Sequence, residues 1–230
     1  MTDNEWYLCG TKEPMLRYLR DRGLLSNRKQ VLLACASIGP AFSQEPYYQL
    51  AARFVDGLAT TADLDAAQAA LQREADDDPN FWDRCHTTHA DEVFLRQNLL
   101  KIACGKESIL EIDTGGLSSN PFSPSEFSEP QACVGVVLLH ELFGNPFRTV
   151  TLNPEWLSRN KNAGLNLAKR IYEEANFALM PALATALANA GCDNSYIFDH
   201  CRRSVLHTRG CWVLDLLLGK EVLETSPFKV

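Results

Sequence analysis

The chain has 230 residues and a mass of 25.7 kDa, with 46% apolar and 22% charged residues and a formal charge of −7. Those fractions are those of a folded globular protein and exclude collagen-like, low-complexity and disordered readings for most of the length. The longest apolar run, Ala132 to Leu139, has eight residues, against the ~20 a membrane-spanning helix needs.

Charge and cysteine narrow the classes further. Residues 1–114 carry 18 acidic and 12 basic side chains, and residues 115–230 carry 11 and 10. Neither half offers the basic excess that a phosphate backbone attracts, so general nucleic-acid binding is not expected, and neither is a membrane partner. The opening MTDNEWYLCG has no basic start followed by an apolar run, so no secretory leader is expected and the cytoplasm is the expected location. In that compartment the eight cysteines are free thiols, core residues or metal ligands rather than disulfides.

In chain order, Met15, Leu16 and Leu19 predict a helix over 13–22 that Gly23 closes. Ser26 or Asn27 caps the next, with Val31 to Cys35 as its apolar run and Gly39-Pro40 as its stop. Tyr48, Ala51, Ala52, Phe54 and Val55 predict a helix over 47–58, and Thr60 with Asp63 resembles a capping box for an Ala-rich helix to about Glu74. The Asp76-Asp77-Asp78 run reads as a solvated helix end. A further helix is expected over 89–103. From Thr114 to Gln131 the sequence TGGLSSNPFSPSEFSEPQ reads as a loop or linker. The predicted organisation is therefore a helical N-terminal region over 1–113, a linker over 114–131 and a helical C-terminal module over 132–230.

In that module, Leu138, Leu139, Leu142 and Phe143 fit one helix face before the Gly144-Asn145-Pro146 turn, after which Phe147 is expected to insert into the core. Asn153-Pro154-Glu155 starts a helix in which Asn caps, Pro takes the first position and Glu meets the positive dipole end. It is expected to run through Trp156, Leu165, Ile171 and Tyr172. Further helices are predicted over 177–190, from an Asp193 or Asn194 cap through Cys201, and over 209–218, with Gly191 and Gly219 as stops. Strand signals are weak throughout. The fold class expected is mainly α, an array or bundle of short helices joined by tight turns, with one long Pro/Ser/Gly-rich loop.

Three stretches, GNPFRTVTLNPEWL (144–157), IYEEANFALMPALATALANAGCDN (171–194) and HCRRSVLHTRGCWVLDLLLGKE (200–221), resemble a protein family abundant in planctomycetes. Glu5-Trp6, Met15-Leu16 and Asn27-Arg28-Lys29 are similar to that family's opening segments. The resemblance carries no activity with it. The family places more cysteines in the helix after the opening segments than the single Cys35 found here, so no thiol or metal role is expected of that helix.

The densest reactive constellation is Cys192, His200, Cys201, His207 and Cys211. Zinc takes four Cys or His ligands tetrahedrally, and a site built from Cys192, Cys201, His207 and Cys211 is one expectation. Its rival is that these cysteines fill the core, which the absence of any Cys-x-x-Cys knuckle and the Cys211-Trp212 neighbourhood favour. A third reading is a nucleophilic Cys/His pair oriented by Asp199 or Asp215. His140-Glu141 begins like the zinc-protease motif HExxH, but Gly144 stands where the second His belongs, so that motif fails. Cys85-His86 with His89 reads as an exposed loop. Arg202, Arg203 and Arg209 form the one basic concentration and the candidate surface for an acidic protein partner. With no complete catalytic or cofactor motif, the leading expectation is a non-enzymatic protein-interaction or regulatory module with no cofactor. A zinc-stabilised module and a Cys/His enzyme are the alternatives.

Overall fold

The computed structural model describes residues 1–37, 46–77, 99–105, 134–203, 206–221 and 228–229. The predicted linker over 114–131, the Cys85-His86-His89 stretch, Asp78 and the Gly39-Pro40 stop lie outside them. The chain is mainly helical, as its periodicity predicts. It divides into two compact units, Leu25–Val134 and a second made of Met1–Leu24 together with Gly135–Val230. The sequence placed residues 1–24 with the N-terminal region instead.

The Leu25–Val134 unit contains α3 (Asn27–Ser37), α4 (Pro46–Val55), α5 (Thr61–Asp77) and a helical turn over 99–103. Helix α4 packs between α3 and α5. Val31, Leu32, Tyr48, Ala51, Leu64, Leu71, Leu99 and Leu100 are buried; of these Leu64 and Leu71, on the Ala-rich helix, were not among the residues the sequence singled out. The Ser26 hydroxyl accepts from the Lys29 N–H (3.1 Å). The Thr60/Asp63 box forms both ways, with the Thr60 N–H donating to the carboxylate (2.7 Å) and the Asp63 N–H to the hydroxyl (3.3 Å). The Thr60 N–H and the Thr60 hydroxyl, each donating to the Asp63 carboxylate at 2.7 Å, hold that carboxyl below its usual range.

The second unit begins with a helix the sequence reading did not find, α1 (Asp3–Leu8), closed by a Thr2/Glu5 capping box. Helix α2 (Lys12–Asp21) buries Met15, Leu16 and Leu19 and ends at Gly23, whose φ of 66° allows the Leu24 N–H to reach Leu19 O (2.8 Å). After the Leu25–Val134 unit comes α6 (Val134–Phe143), whose buried face is the predicted Leu138, Leu139, Leu142 and Phe143. The Trp6 indole N–H donates to Gly144 O (3.0 Å) at the end of α6, and the Asn145 amide donates to the Asp3 carboxylate. These bonds tie α1 to the GNPFR turn. Phe147 departs from expectation: it is half-buried and stacks on Tyr18 (centroids 5.1 Å). The buried residues of the turn are Gly144 and Asn145, and Asn145 Oδ1 accepts from the Phe147 N–H (2.9 Å) and so closes the loop locally.

Helix α7 (Pro154–Glu174) starts as written, with Asn153 Oδ1 accepting from the Glu155 N–H (3.0 Å) and Pro154 in the first turn. It is not continuous. Asn160, Lys161 and Asn162 all have positive φ (53°, 57° and 60°), which breaks the helix after one turn. The break places Asn160 Nδ2 on Asn189 O (2.9 Å) and Arg159 Nη1 on Ala190 O (3.5 Å), two carbonyls at the end of α8 (Met180–Asn189). A 3₁₀ turn, Phe177–Leu179, precedes α8; α9 (Ser195–Arg202) is capped by Asn194, and α10 (Trp212–Leu218) ends at Gly219. Helices α7, α8, α9 and α10 pack on one another around Ala168, Ile171, Leu183, Leu187, Ile197, Trp212 and Val213. Each large apolar side chain removed from water there contributes about 1.5–3 kcal/mol. Val150–Thr151 (β1) pairs in parallel with Phe228–Lys229 (β2), Val150 opposite Phe228. Among the described residues no helix is long and apolar enough to cross a membrane.

Candidate metal centre

Four side chains converge inside the second unit: Glu141, His200, His207 and Cys211, with one potential ligand atom from each lying within 4.8 Å of the others. Local folding rules explain how each arrives. Glu141 lies in the last turn of α6, among residues whose apolar neighbours draw the helix into the core. His200 occupies the last turn of α9 on the same inward face as Ile197. His207 and Cys211 flank a tight turn in which the Cys211 N–H donates to Thr208 O (3.1 Å) and Gly210 takes a φ of 86°. Cys211 then serves as the residue before α10.

The carboxylate is the hub. Its Oε2 lies 3.2 Å from His200 Nε2 and its Oε1 3.1 Å from His207 Nδ1, and the Thr208 N–H donates to Oε1 at 3.4 Å. His200 Nε2 also lies 3.1 Å from Cys211 Sγ. The Trp212 indole N–H donates to the other ring nitrogen, His200 Nδ1, at 2.9 Å. Side-chain exposure is 1% for Glu141, 2% for His200 and 5% for His207, and Cys211 is fully buried. His207 Nε2 is buried with no hydrogen-bond partner.

Burial alone raises the Glu141 carboxyl, but the hydrogen bonds it accepts from His200 and His207 outweigh it and bring its pKa down to about 2, so the group is an anion. Burial lowers His200, with the Glu141 contacts only partly offsetting that, so its ring is neutral. Burial, reinforced by the Glu141 charge, pushes the Cys211 thiol well above its ordinary value. Burial thus disfavours the Cys211 thiolate relative to an ordinary exposed cysteine. Asp199 and Asp215 do not supply the carboxylate of this group; Glu141 does.

The donor set fits a borderline-soft divalent ion. Two imidazole nitrogens, one carboxylate oxygen and one sulfur suit zinc, whereas calcium and magnesium prefer oxygen alone. Tetrahedral zinc, with bonds of ~2.1 Å to N or O and ~2.3 Å to S, separates its ligand atoms by about 3.4–3.6 Å. The separations of 3.1 and 3.2 Å around His200 Nε2 need only a few tenths of an ångström of expansion. An ionised Glu141 and a Cys211 thiolate would neutralise the two charges of such an ion, leaving a buried centre without net charge.

Of the four ligands expected from the sequence, His207 and Cys211 stand in this group. Cys192 and Cys201 do not: both are buried in the apolar cluster with Leu183, Leu187 and Ile197, where burial raises their thiols, that of Cys201 to about 12. His200, which was in the sequence constellation but not in the expected quartet, takes one of their places, and Glu141 the other. Its neighbour His140 packs its ring on Tyr7 (5.8 Å, 15°) and edge-on against Trp6 (5.6 Å). The basic concentration is locally engaged in part: Arg202 lies over the Phe198 ring (5.3 Å), and Arg209 donates to Glu173 O (3.3 Å) and lies over Tyr172 (5.9 Å), while Arg203 is an exposed residue following α9. Comparison with protein families, with curated proteins and with solved structures returns no match to this chain.

Proposed function

We propose that the protein is a metal-stabilised helical module in which Glu141, His200, His207 and Cys211 hold one zinc ion that fastens the end of α6 to the turn before α10. The observation that carries this reading is the convergence of four buried donor groups of zinc-binding type from three separate segments. Four protein ligands with no more than 5% side-chain exposure fill a tetrahedral shell, which is the pattern of a structural rather than a catalytic ion. The ion's role is to hold a scaffold, in keeping with the non-enzymatic role the sequence suggests.

Elemental mass spectrometry on untagged protein, paired with thermal unfolding after chelation and after zinc is restored, tests the reading. About one zinc per chain is expected, with a stabilisation that Cys211→Ala abolishes and Cys192→Ala retains. Protein that takes up no zinc and unfolds identically with and without chelator would overturn it.

A further inference from the structure

An indole N–H is a donor and never an acceptor. Because Trp212 Nε1 donates to His200 Nδ1 at 2.9 Å, that nitrogen carries a lone pair, and the one proton of a neutral ring sits on Nε2. An imidazolium is excluded by the same contact, since it would set two N–H groups against each other. His200 Nε2 is the ring nitrogen that faces the centre, 3.1 Å from Cys211 Sγ and 3.2 Å from Glu141 Oε2. The nitrogen that must offer its lone pair to an ion is thus the one that bears the hydrogen.

We propose that Trp212 sets the zinc affinity of this centre by holding His200 in the tautomer that cannot coordinate, so that the ion binds only by displacing the Trp212–His200 hydrogen bond. This rests on the metal reading above and deepens it. In the metal-free protein His200 is fully engaged without an ion: Glu141 accepts from His200 Nε2–H, His207 Nδ1–H and the Thr208 N–H, and His200 Nδ1 accepts from Trp212, which leaves His207 Nε2 as the one unpartnered nitrogen of the two rings. When zinc enters, the His200 proton passes from Nε2 to Nδ1, the His207 proton passes from Nδ1, the nitrogen beside Glu141, to the unpartnered Nε2, the Cys211 thiol releases its proton to solvent, and the lone pairs of His200 Nε2, His207 Nδ1 and Sγ go to the metal. His200 Nδ1–H then faces Trp212 Nε1–H across a gap that held a hydrogen bond, and the indole must give way inside the core, where Trp212 is 1% exposed. Most histidine ligands gain from a neighbour that accepts their second N–H; here the neighbour is a donor and opposes the ion.

The test compares wild type with Trp212→Phe, which keeps an aromatic ring against Tyr196 (centroids 4.7 Å, 19°) and removes the donor together with part of the buried indole's volume. Zinc affinity is measured by competition with a chromogenic chelator. Relief of an unpaired buried donor is expected to make the variant bind zinc on the order of tenfold tighter. A merely structural role for Trp212 would move affinity the other way, since loosening the core loosens the ligands. Equal or weaker binding by a folded variant overturns this inference and leaves the metal reading standing, whereas no zinc binding by either protein overturns both. Independently of the variant, long-range ¹H–¹⁵N spectra of wild type are expected to place the His200 proton on Nε2 without metal and on Nδ1 with zinc. A proton on Nδ1 in the metal-free protein refutes the proposal outright.

Discussion

Replacing Glu141 by Gln keeps the side chain's shape and removes its charge, which isolates what the carboxylate does. Both carboxylate oxygens are acceptors here, Oε2 toward His200 Nε2 at 3.2 Å and Oε1 toward His207 Nδ1 at 3.1 Å and the Thr208 N–H at 3.4 Å. A carboxamide has one acceptor oxygen, so whichever way it turns, its NH₂ meets a donor. The loss is at least one hydrogen bond to a charged group, about 1.5–3 kcal/mol, together with a buried unpaired donor at about 1–3 kcal/mol. With Glu141 only 1% exposed, screening offers no relief, and the metal-free variant is expected to be destabilised by about 3–5 kcal/mol. At a free zinc concentration one hundred times the dissociation constant, wild type gains a further ~2.7 kcal/mol that the variant, short of a ligand, does not. For a chain of 230 residues that increment corresponds to about 5–11 °C in Tm. Urea unfolding followed by near-ultraviolet circular dichroism, with chelator and with buffered zinc, measures both quantities. A variant within 1 kcal/mol of wild type in chelator, or one that keeps the full zinc increment, would refute the account of Glu141 as the hub.

Further outcomes follow from other parts of the unit. His140 is neutral in the folded chain, its pKa brought down to about 4 by burial and then by the Arg203 charge, whereas the unfolded value is 6.5. Its contribution is therefore present above pH 6.5 and lost as pH falls toward 4, by on the order of 3 kcal/mol; urea midpoints across that window are expected to fall less steeply for His140→Phe than for wild type. Asn153→Ala removes the cap on α7 and is expected to cost about 1 kcal/mol in the same unfolding assay. Gly191→Ala is expected to cost about 1–2 kcal/mol in urea unfolding, chiefly because φ is 91°; the new Cβ would also sit 2.8 Å from Arg159 Nη1, the end of a flexible side chain that can move aside. If Arg159→Ala in the same chain leaves that cost unchanged, the clash is not its cause.

Much of the helical framework is legible along the chain because its signals are local. Asn153-Pro154-Glu155, Thr60 with Asp63, Asn194, Gly23 and Gly219 each act on backbone groups within a few residues, so a reader of the sequence meets cause and effect together. The apolar faces of α2, α4 and α6 are legible for the same reason: their period is the helix's own. Where the signal is not local, the sequence is silent. Helix α1 has six residues, too few for a period to register. The break at Asn160–Asn162 has no proline or glycine to announce it and is matched to carbonyls at the end of α8, 29 residues away.

The candidate centre divides the same way. His200, His207 and Cys211 stand out in the sequence because they lie within twelve residues of one another. Glu141 lies 66 residues before His207 and looked like half of a failed motif. The sequence by itself determined a helical chain with many of its stops and starts and a Cys/His-rich segment near its C-terminal end. Only the tertiary structure decided that Cys192 and Cys201 go to the apolar core and that a carboxylate from α6 completes the group. Which buried thiol joins the Glu141 group depends on where α6 and α9 pack, and packing is set by side chains far apart in the chain.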